Sequence, residues 1–213
     1  LPLYHAYGQQ STIIRGARVQ PTIYVMSEFR FELFLSCIEK YKITDLAVVP
    51  PILVMLAKRP ETKKFDLSSL QRIGCGAAPL KKDLQHEIQN RFNLKVRQGW
   101  GMTELTCSAI QMSEMDEDRG DTVGRIQPNC ELKLVDDDGK EAGKNQPGEI
   151  LFRGPQVCMG YWRNEKATKE LIDEEGWLKT GDIAVCNEDG YIWIVDRKKV
   201  THHTQSFTKK VNI

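Results

Sequence analysis

The chain has 213 residues, 40% of them hydrophobic and 28% charged, with a formal net charge of +1. Such a composition is that of an ordinary globular protein with material for a sizeable core. A near-neutral charge gives no electrostatic argument for nucleic acid or an anionic membrane, and no apolar run approaches the roughly 20 residues of a membrane span. The cysteines (Cys37, Cys75, Cys107, Cys130, Cys158 and Cys186) are too scattered for paired zinc or redox spacing. They read as the reduced thiols of an intracellular protein, cytoplasmic or peroxisomal. The opening "LPLYHAYG", with neither an initiator methionine nor a signal peptide, reads as the start of a fragment.

In chain order, Phe31, Phe34, Leu35, Ile38 and Tyr41 recur at helical spacing and predict an amphipathic helix. "DLAVVPP" predicts a short buried strand stopped by Pro50 and Pro51, "LVMLAKR" a helix and "LQRIGCG" a second strand. Leu80, Leu84, Ile88 and Phe92 make a helical stripe that Pro79 helps to start, and "LKVRQGW" returns as a strand. Alternation at this pitch predicts a layered α/β sheet. Past the polar run "SEMDEDRGD" the pattern changes to short strands with turn punctuation, interrupted only by a helix in "NEKATKELI". "CELKLVDDDGKEA" predicts a strand and an acidic turn, and "GDIAVCNEDGYIWIVDR" predicts a hairpin through Asn187 to Gly190. The expected fold class is therefore α/β, with an α/β subdomain over 1–117 and a small antiparallel, barrel-like β subdomain over 118–196. Residues 197–213 read as a hinge start and a tail without apolar period.

Several stretches carry chemistry-bearing residues, each with a plain structural alternative. "GCGAAP" at 74–79 follows a strand and precedes a helix but lacks the third glycine of a dinucleotide fingerprint. It is either a tight turn or a place where a ligand meets backbone N–H groups. "QGWGMTE" at 98–104 sets an aromatic plane between glycines, then a hydroxyl and a carboxylate of the kind that suits magnesium and phosphate. "GWLKTGD" at 176–182 reads as a strand ending in a turn, whose Asp182 is either solvated or placed to accept from a pair of ribose hydroxyls.

The ordered set "LPLYHAYG", "GCGAAPL", "QGWGMTE", "GWLKTGD" and "YIWIVDRKK" closely resembles the adenylate-forming acyl-CoA synthetase superfamily, in its 4-coumarate:CoA ligase and luciferase-like branch, over about residues 1–199. The resemblance implies the large N-terminal domain of those enzymes. It implies an activity that joins a carboxylic acid to ATP as an acyl-adenylate and then to CoA, with Mg²⁺ as cofactor. By position it assigns Gln98, Gly99, Trp100 and Gly101 to the adenine and acyl-adenylate region, with Thr103 on phosphate and Glu104 on the metal. Asp182 and Arg197 fall to the ribose, Lys199 to the hinge, and Ala77 to both the nucleotide and acyl pockets. His5, Tyr7, Gly74 and Gly76 fall to the acyl side, His5 being open to reading as a packed core histidine.

The same resemblance implies a phosphate-clasping loop before "LPLYHAYG" and a small C-terminal domain with an adenylation lysine after "DRKK". Neither is found in these 213 residues, whose tail "VTHHTQSFTKKVNI" departs from the family pattern. The chain taken alone is thus expected to be inactive, with a partner chain covering an incomplete sheet. Rival readings are a luciferase-type oxygenase, a peptide-synthetase adenylation domain, and a non-catalytic remnant that binds a nucleotide or a partner.

Overall fold

The structure is a computed structural model, and it describes residues 1–116 and 119–198. The chain opens with helix α1 (Ala6–Gly8), a π-helical stretch at Gln9–Ile14 and helix α2 (Arg15–Val19). Apolar periodicity does not mark this segment, and Tyr4, Ile13, Ile14 and Val19 remain exposed.

Helix α3 (Phe31–Tyr41) is the first that the apolar stripe anticipates. It buries Phe31, Leu35 and Ile38, leaves Phe34 half-buried, and places Tyr41 at its rim, where the ring stacks on Tyr24 with centroids 4.4 Å apart. Strand β1 (Asp45–Val48) runs into helix α4 (Pro50–Lys58). Pro50 and Pro51 thus open the helix as well as ending the strand, because a first helical turn needs no proline N–H and the ring already holds a helical φ. Strand β2 (Arg72–Cys75), helix α5 (Lys82–Phe92) and strand β3 (Lys95–Trp100) follow as the alternation predicts.

β1, β2 and β3 pair in parallel in that order. The two-residue strands β4 (Ile110–Gln111) and β5 (Arg125–Ile126) extend the sheet antiparallel from β3. Leu35, Ile38, Leu53, Leu56, Ile73, Ile88 and Val96 form the core between this sheet and its helices. The polar run expected to separate the subdomains lies between β4 and β5; the change of sheet falls between Ile126 and Glu131.

The second sheet is a four-stranded antiparallel meander of β6 (Glu131–Val135), β7 (Gly148–Arg153), β8 (Leu178–Cys186) and β9 (Ile192–Arg197). Helix α6 (Glu165–Leu171), capped by the Asn164 side chain, lies between β7 and β8. The acidic turn after β6 is an Asx turn, with Asp136 Oδ1 accepting from the N–H groups of Asp138 and Lys140 at 3.0 and 2.9 Å. The β8–β9 hairpin closes as expected, Asn187 Oδ1 accepting from Tyr191 N–H at 2.9 Å.

The "TGD" stretch differs from its sequence reading. β8 does not end there: it passes straight through Thr180, Gly181 and Asp182. Between pairs Leu151–Lys179 and Glu149–Ile183, β8 advances four residues while β7 advances two, so the stretch is a bulge and not a strand-ending turn. Gly181 supplies the φ of 73° that the bulge requires.

The two sheets share a seam. Leu105, Ala109, Ile110 and Val123 pack with Leu134, Ile150, Phe152, Leu178 and Ile192 in one apolar cluster. Ile192 also exchanges backbone hydrogen bonds with the strand entering β5, to Val123 N–H and from its own N–H to Gly124 O. Loops leaving the first sheet are therefore held against the second.

Candidate functional site

Parallel strands β2 and β3 deliver their C-terminal ends to one edge of the first sheet. Outside such an edge, the loops of open α/β sheets converge on ligands. Gly74 lies within β2, and the loop after it carries Gly76 and Ala77. Tyr7 lies against it, its hydroxyl donating to Gly74 O at 3.2 Å. Burial pushes the Tyr7 phenol above its ordinary range. His5 caps α1 instead of entering a core: it is exposed, and its Nδ1 accepts from Tyr7 N–H at 3.1 Å. Ala77 holds a left-handed φ of 68°, a conformation that costs an alanine energy and that concentrates at ligand-binding loops.

The loop after β3 is shaped by Gly101. A β-carbon there would collide with the Cys107 carbonyl, because the chain doubles back through a 3₁₀ turn at Thr103–Leu105. Leu105, fully buried in the inter-sheet cluster, pins that turn to the second sheet. Thr103 is exposed and Glu104 half-buried on it. The Tyr161 hydroxyl donates to Glu104 Oε1 at 2.7 Å, and burial together with that carboxylate pushes the Tyr161 phenol up to about 12.

The β8 bulge meets this loop directly. Trp100 Nε1–H donates to Asp182 Oδ2 at 2.9 Å across 82 positions of sequence. Arg197, paired with Asp182 across β8 and β9, brings its Nε to 3.5 Å from Oδ1. The bulge is held from beneath by Thr180 Oγ1, which donates to Ile150 O at 2.8 Å, and by Glu149 Oε1, which accepts from Gly181 N–H at 3.1 Å. Burial raises the Asp182 pKa; the Trp100 hydrogen bond and Arg197 pull it down, and Glu149 adds to the rise. Burial prevails because Arg197 is largely exposed, where water screens its charge.

Trp100, Gly101, Thr103, Glu104, Asp182 and Arg197 therefore share one region, with Tyr7, Gly74, Gly76 and Ala77 at the adjoining sheet edge and Gly99 within β3. Gln98, assigned to the same region, turns its side chain away from it. Its side chain is only 3% exposed and donates to Gln85 Oε1 on α5 at 2.7 Å, because strand alternation turns it, like Val96, toward the helix layer. Lys199 and the tail lie outside the described residues. Sequence reasoning missed Tyr161 and Glu149: Tyr161 stands 57 positions from Glu104, and no local spacing joins them.

The residues fit an adenosine phosphate and its metal. A partly buried carboxylate with a flanking arginine suits a pair of hydroxyls, and an aromatic plane beside glycine backbone suits a purine. Among the described residues no group of three or more His, Cys, Asp or Glu could cage a metal. A single carboxylate on the Glu104 turn is nevertheless the donor set expected of Mg²⁺, which takes one or two carboxylates plus phosphate oxygens and water. Among these residues no helix is long and apolar enough to cross a membrane.

A mixed α/β sheet joined to an antiparallel sheet is consistent with part of the N-terminal domain of adenylate-forming enzymes. The family model described as "AMP-binding enzyme" matches residues 1–162, and the chain belongs to that family. It is similar to 4-coumarate–CoA ligase 1 of Arabidopsis thaliana, 42% identical over 205 residues, and to probable 4-coumarate–CoA ligase 2 of Dictyostelium discoideum, 41% identical over 204 residues. Each match takes in 93% of this chain and 36% of the relative, so the chain spans about a third of their length. Among solved structures it resembles an anthranilate CoA ligase in complex with anthranoyl-AMP, with a TM-score of 0.85 and 25% identity over 92% of this chain and 38% of that one. It also resembles an O-succinylbenzoate coenzyme A synthetase from Bacillus subtilis in complex with ATP and magnesium ion, with a TM-score of 0.78 and 26% identity over 92% of this chain and 40% of that one.

Proposed function

We propose that these residues form the adenosine- and metal-binding part of an acid:CoA ligase that activates a small carboxylic acid. The observation that carries this reading is the 2.9 Å bond from Trp100 to Asp182, which joins the purine-facing loop to the ribose-facing carboxylate. In the reaction, a carboxylate oxygen of the substrate attacks the α-phosphorus of ATP and expels pyrophosphate. The thiol of CoA then adds to the acyl carbonyl, loses its proton and expels AMP.

The protein's part is positional. Trp100 and the Gly99 and Gly101 backbone take the base, and Asp182 and Arg197 hold the ribose hydroxyls. Thr103 donates to a phosphate oxygen, which stabilises the charge that builds as pyrophosphate leaves. Glu104 holds the metal, which when bound neutralises phosphate charge and polarises the phosphoryl oxygen. Tyr7, His5, Gly74, Gly76 and Ala77 border the acid.

Calorimetric titration with AMP and a non-hydrolysable acyl-adenylate tests the pocket, and tighter binding of the adenylate is expected. A flat titration with both ligands removes the reading. The 213 residues, which span about a third of their relatives' length, are expected to bind without turning over. Pyrophosphate release with aryl, cinnamic and fatty acids measures that. A second reading, a nucleotide-binding remnant without catalysis, is favoured by the chain's 36% share of its relatives' length. It differs in outcome only if the chain stays inactive within a longer protein.

A further inference from the structure

Glu104 does not stand alone on its turn. The segment 156–161 clasps that turn with three hydrogen bonds: Cys158 N–H to Glu104 O at 2.8 Å, Thr106 Oγ1 to Gln156 O at 2.8 Å, and Tyr161 Oη to Glu104 Oε1 at 2.7 Å. The first two fix the backbone, and the third fixes the carboxylate itself. Tyr161 is held in turn from α6: its N–H donates to Thr168 Oγ1 at 2.9 Å, and that hydroxyl donates to Asn164 O at 2.9 Å. Asn164 is the N-cap of the same helix, its Oδ1 accepting from Ala167 N–H at 3.1 Å.

Packing does not explain this arrangement. Tyr161 is 41% exposed as a residue and belongs to neither apolar core, and its neighbours Met159 and Trp162 are more exposed still. A single hydrogen bond at an exposed site contributes only about 1 kcal/mol to stability. What the contact does supply is direction. A glutamate has three rotatable bonds, and one oxygen held at 2.7 Å restricts where the other can point.

We propose that Tyr161 is a positioning residue for the metal-binding carboxylate: it holds Oε1 of Glu104 so that Oε2 is presented to a divalent cation on the nucleotide phosphates. This rests on the ligase-site reading above. It adds a residue that touches neither nucleotide nor acid and acts only through Glu104. Partners of this kind, bonded to a metal ligand, commonly change metal affinity by about 10- to 100-fold when removed.

The test uses Mn²⁺ as the metal probe. Mn²⁺ is titrated into the complex of the 213-residue chain with ATP, followed by electron paramagnetic resonance, and metal-free AMP binding is measured separately by calorimetry. Tyr161→Phe is expected to weaken Mn²⁺ binding about tenfold while leaving AMP affinity within twofold. In a Glu104→Gln background the same change is expected to have no further effect. Thr168→Val, which removes the hydroxyl behind Tyr161, is expected to give a smaller loss in the same direction, and it decides the matter if Tyr161→Phe does not fold.

Unchanged or tighter Mn²⁺ binding in the deciding variant overturns the proposal, as does an equal loss of AMP and Mn²⁺ affinity. A parent chain that binds neither AMP nor ATP refutes the ligase-site reading and takes this inference with it. A parent that binds nucleotide with a silent Tyr161→Phe refutes the inference alone.

Discussion

Replacing Asp182 with asparagine separates its binding role from its structural one. The amide keeps the shape of the carboxylate, and its oxygen can still accept from Trp100 Nε1–H, the 2.9 Å bond that crosses the two sheets. The Arg197 contact, at 3.5 Å from a largely exposed guanidinium, contributes little and can relax into water. What disappears, on the proposed reading, is a charged acceptor for ribose hydroxyls. One charge-assisted hydrogen bond is worth about 1.5–3 kcal/mol, which is roughly 10- to 150-fold in AMP dissociation constant.

Stability moves the other way or not at all. Burial raises the Asp182 pKa in the fold, so the native state holds its proton more tightly than the unfolded chain. Unfolding free energy from this group therefore falls as pH rises from the ordinary aspartate value, about 3.9, up to the raised folded value. Above that window the parent carries the full cost of a buried charge, which the amide lacks. Asp182→Asn should weaken AMP binding at neutral pH at least tenfold in calorimetry, with an unchanged or slightly higher urea midpoint. AMP affinity of the parent should also decline on acidification at a higher pH than an ordinary aspartate would dictate. A variant that binds AMP within threefold of the parent, or that melts well below it, would falsify the role given to this carboxylate.

Trp100→Phe keeps an aromatic face but removes the indole donor; a loss of about 2 kcal/mol in urea unfolding is expected, with the acid limb of AMP binding moved to higher pH. Gly101→Ala drives a methyl into the Cys107 carbonyl, and a destabilisation of about 3 kcal/mol or more, or insoluble expression, is expected. Glu131→Gln breaks an exposed pair with Arg153 and should leave the urea midpoint nearly unchanged, any difference vanishing in high salt.

What the sequence conveyed depended on range. The Phe31–Leu35–Ile38 stripe marks α3 because a single helix must bury one face against whatever covers it. The Asn187–Gly190 hairpin is legible because its hydrogen bonds are made within five residues. Motifs 98–104 and 176–182 were legible as a pair only through family resemblance, since nothing local says that Trp100 meets Asp182. The Thr180–Asp182 bulge was hidden because a glycine at positive φ serves a turn or a bulge equally well, and only pairing with β7 decides between them. The direction of the Gln98 side chain was not legible for a simpler reason. Its motif drew attention toward the ligand, while strand alternation and Gln85 claimed its amide.

The seam at Ile192, Gly124 and Leu105 would, on the proposed reading, tie recognition of the nucleoside to the assembly of the two sheets. On the proposed reading base and sugar would be gripped from opposite sides of that seam, so neither half would hold the ligand until the halves have docked. Saturating AMP should consequently act as a clamp, raising resistance of the seam to proteolysis and hydrogen exchange by the mass-action amount set by its own affinity.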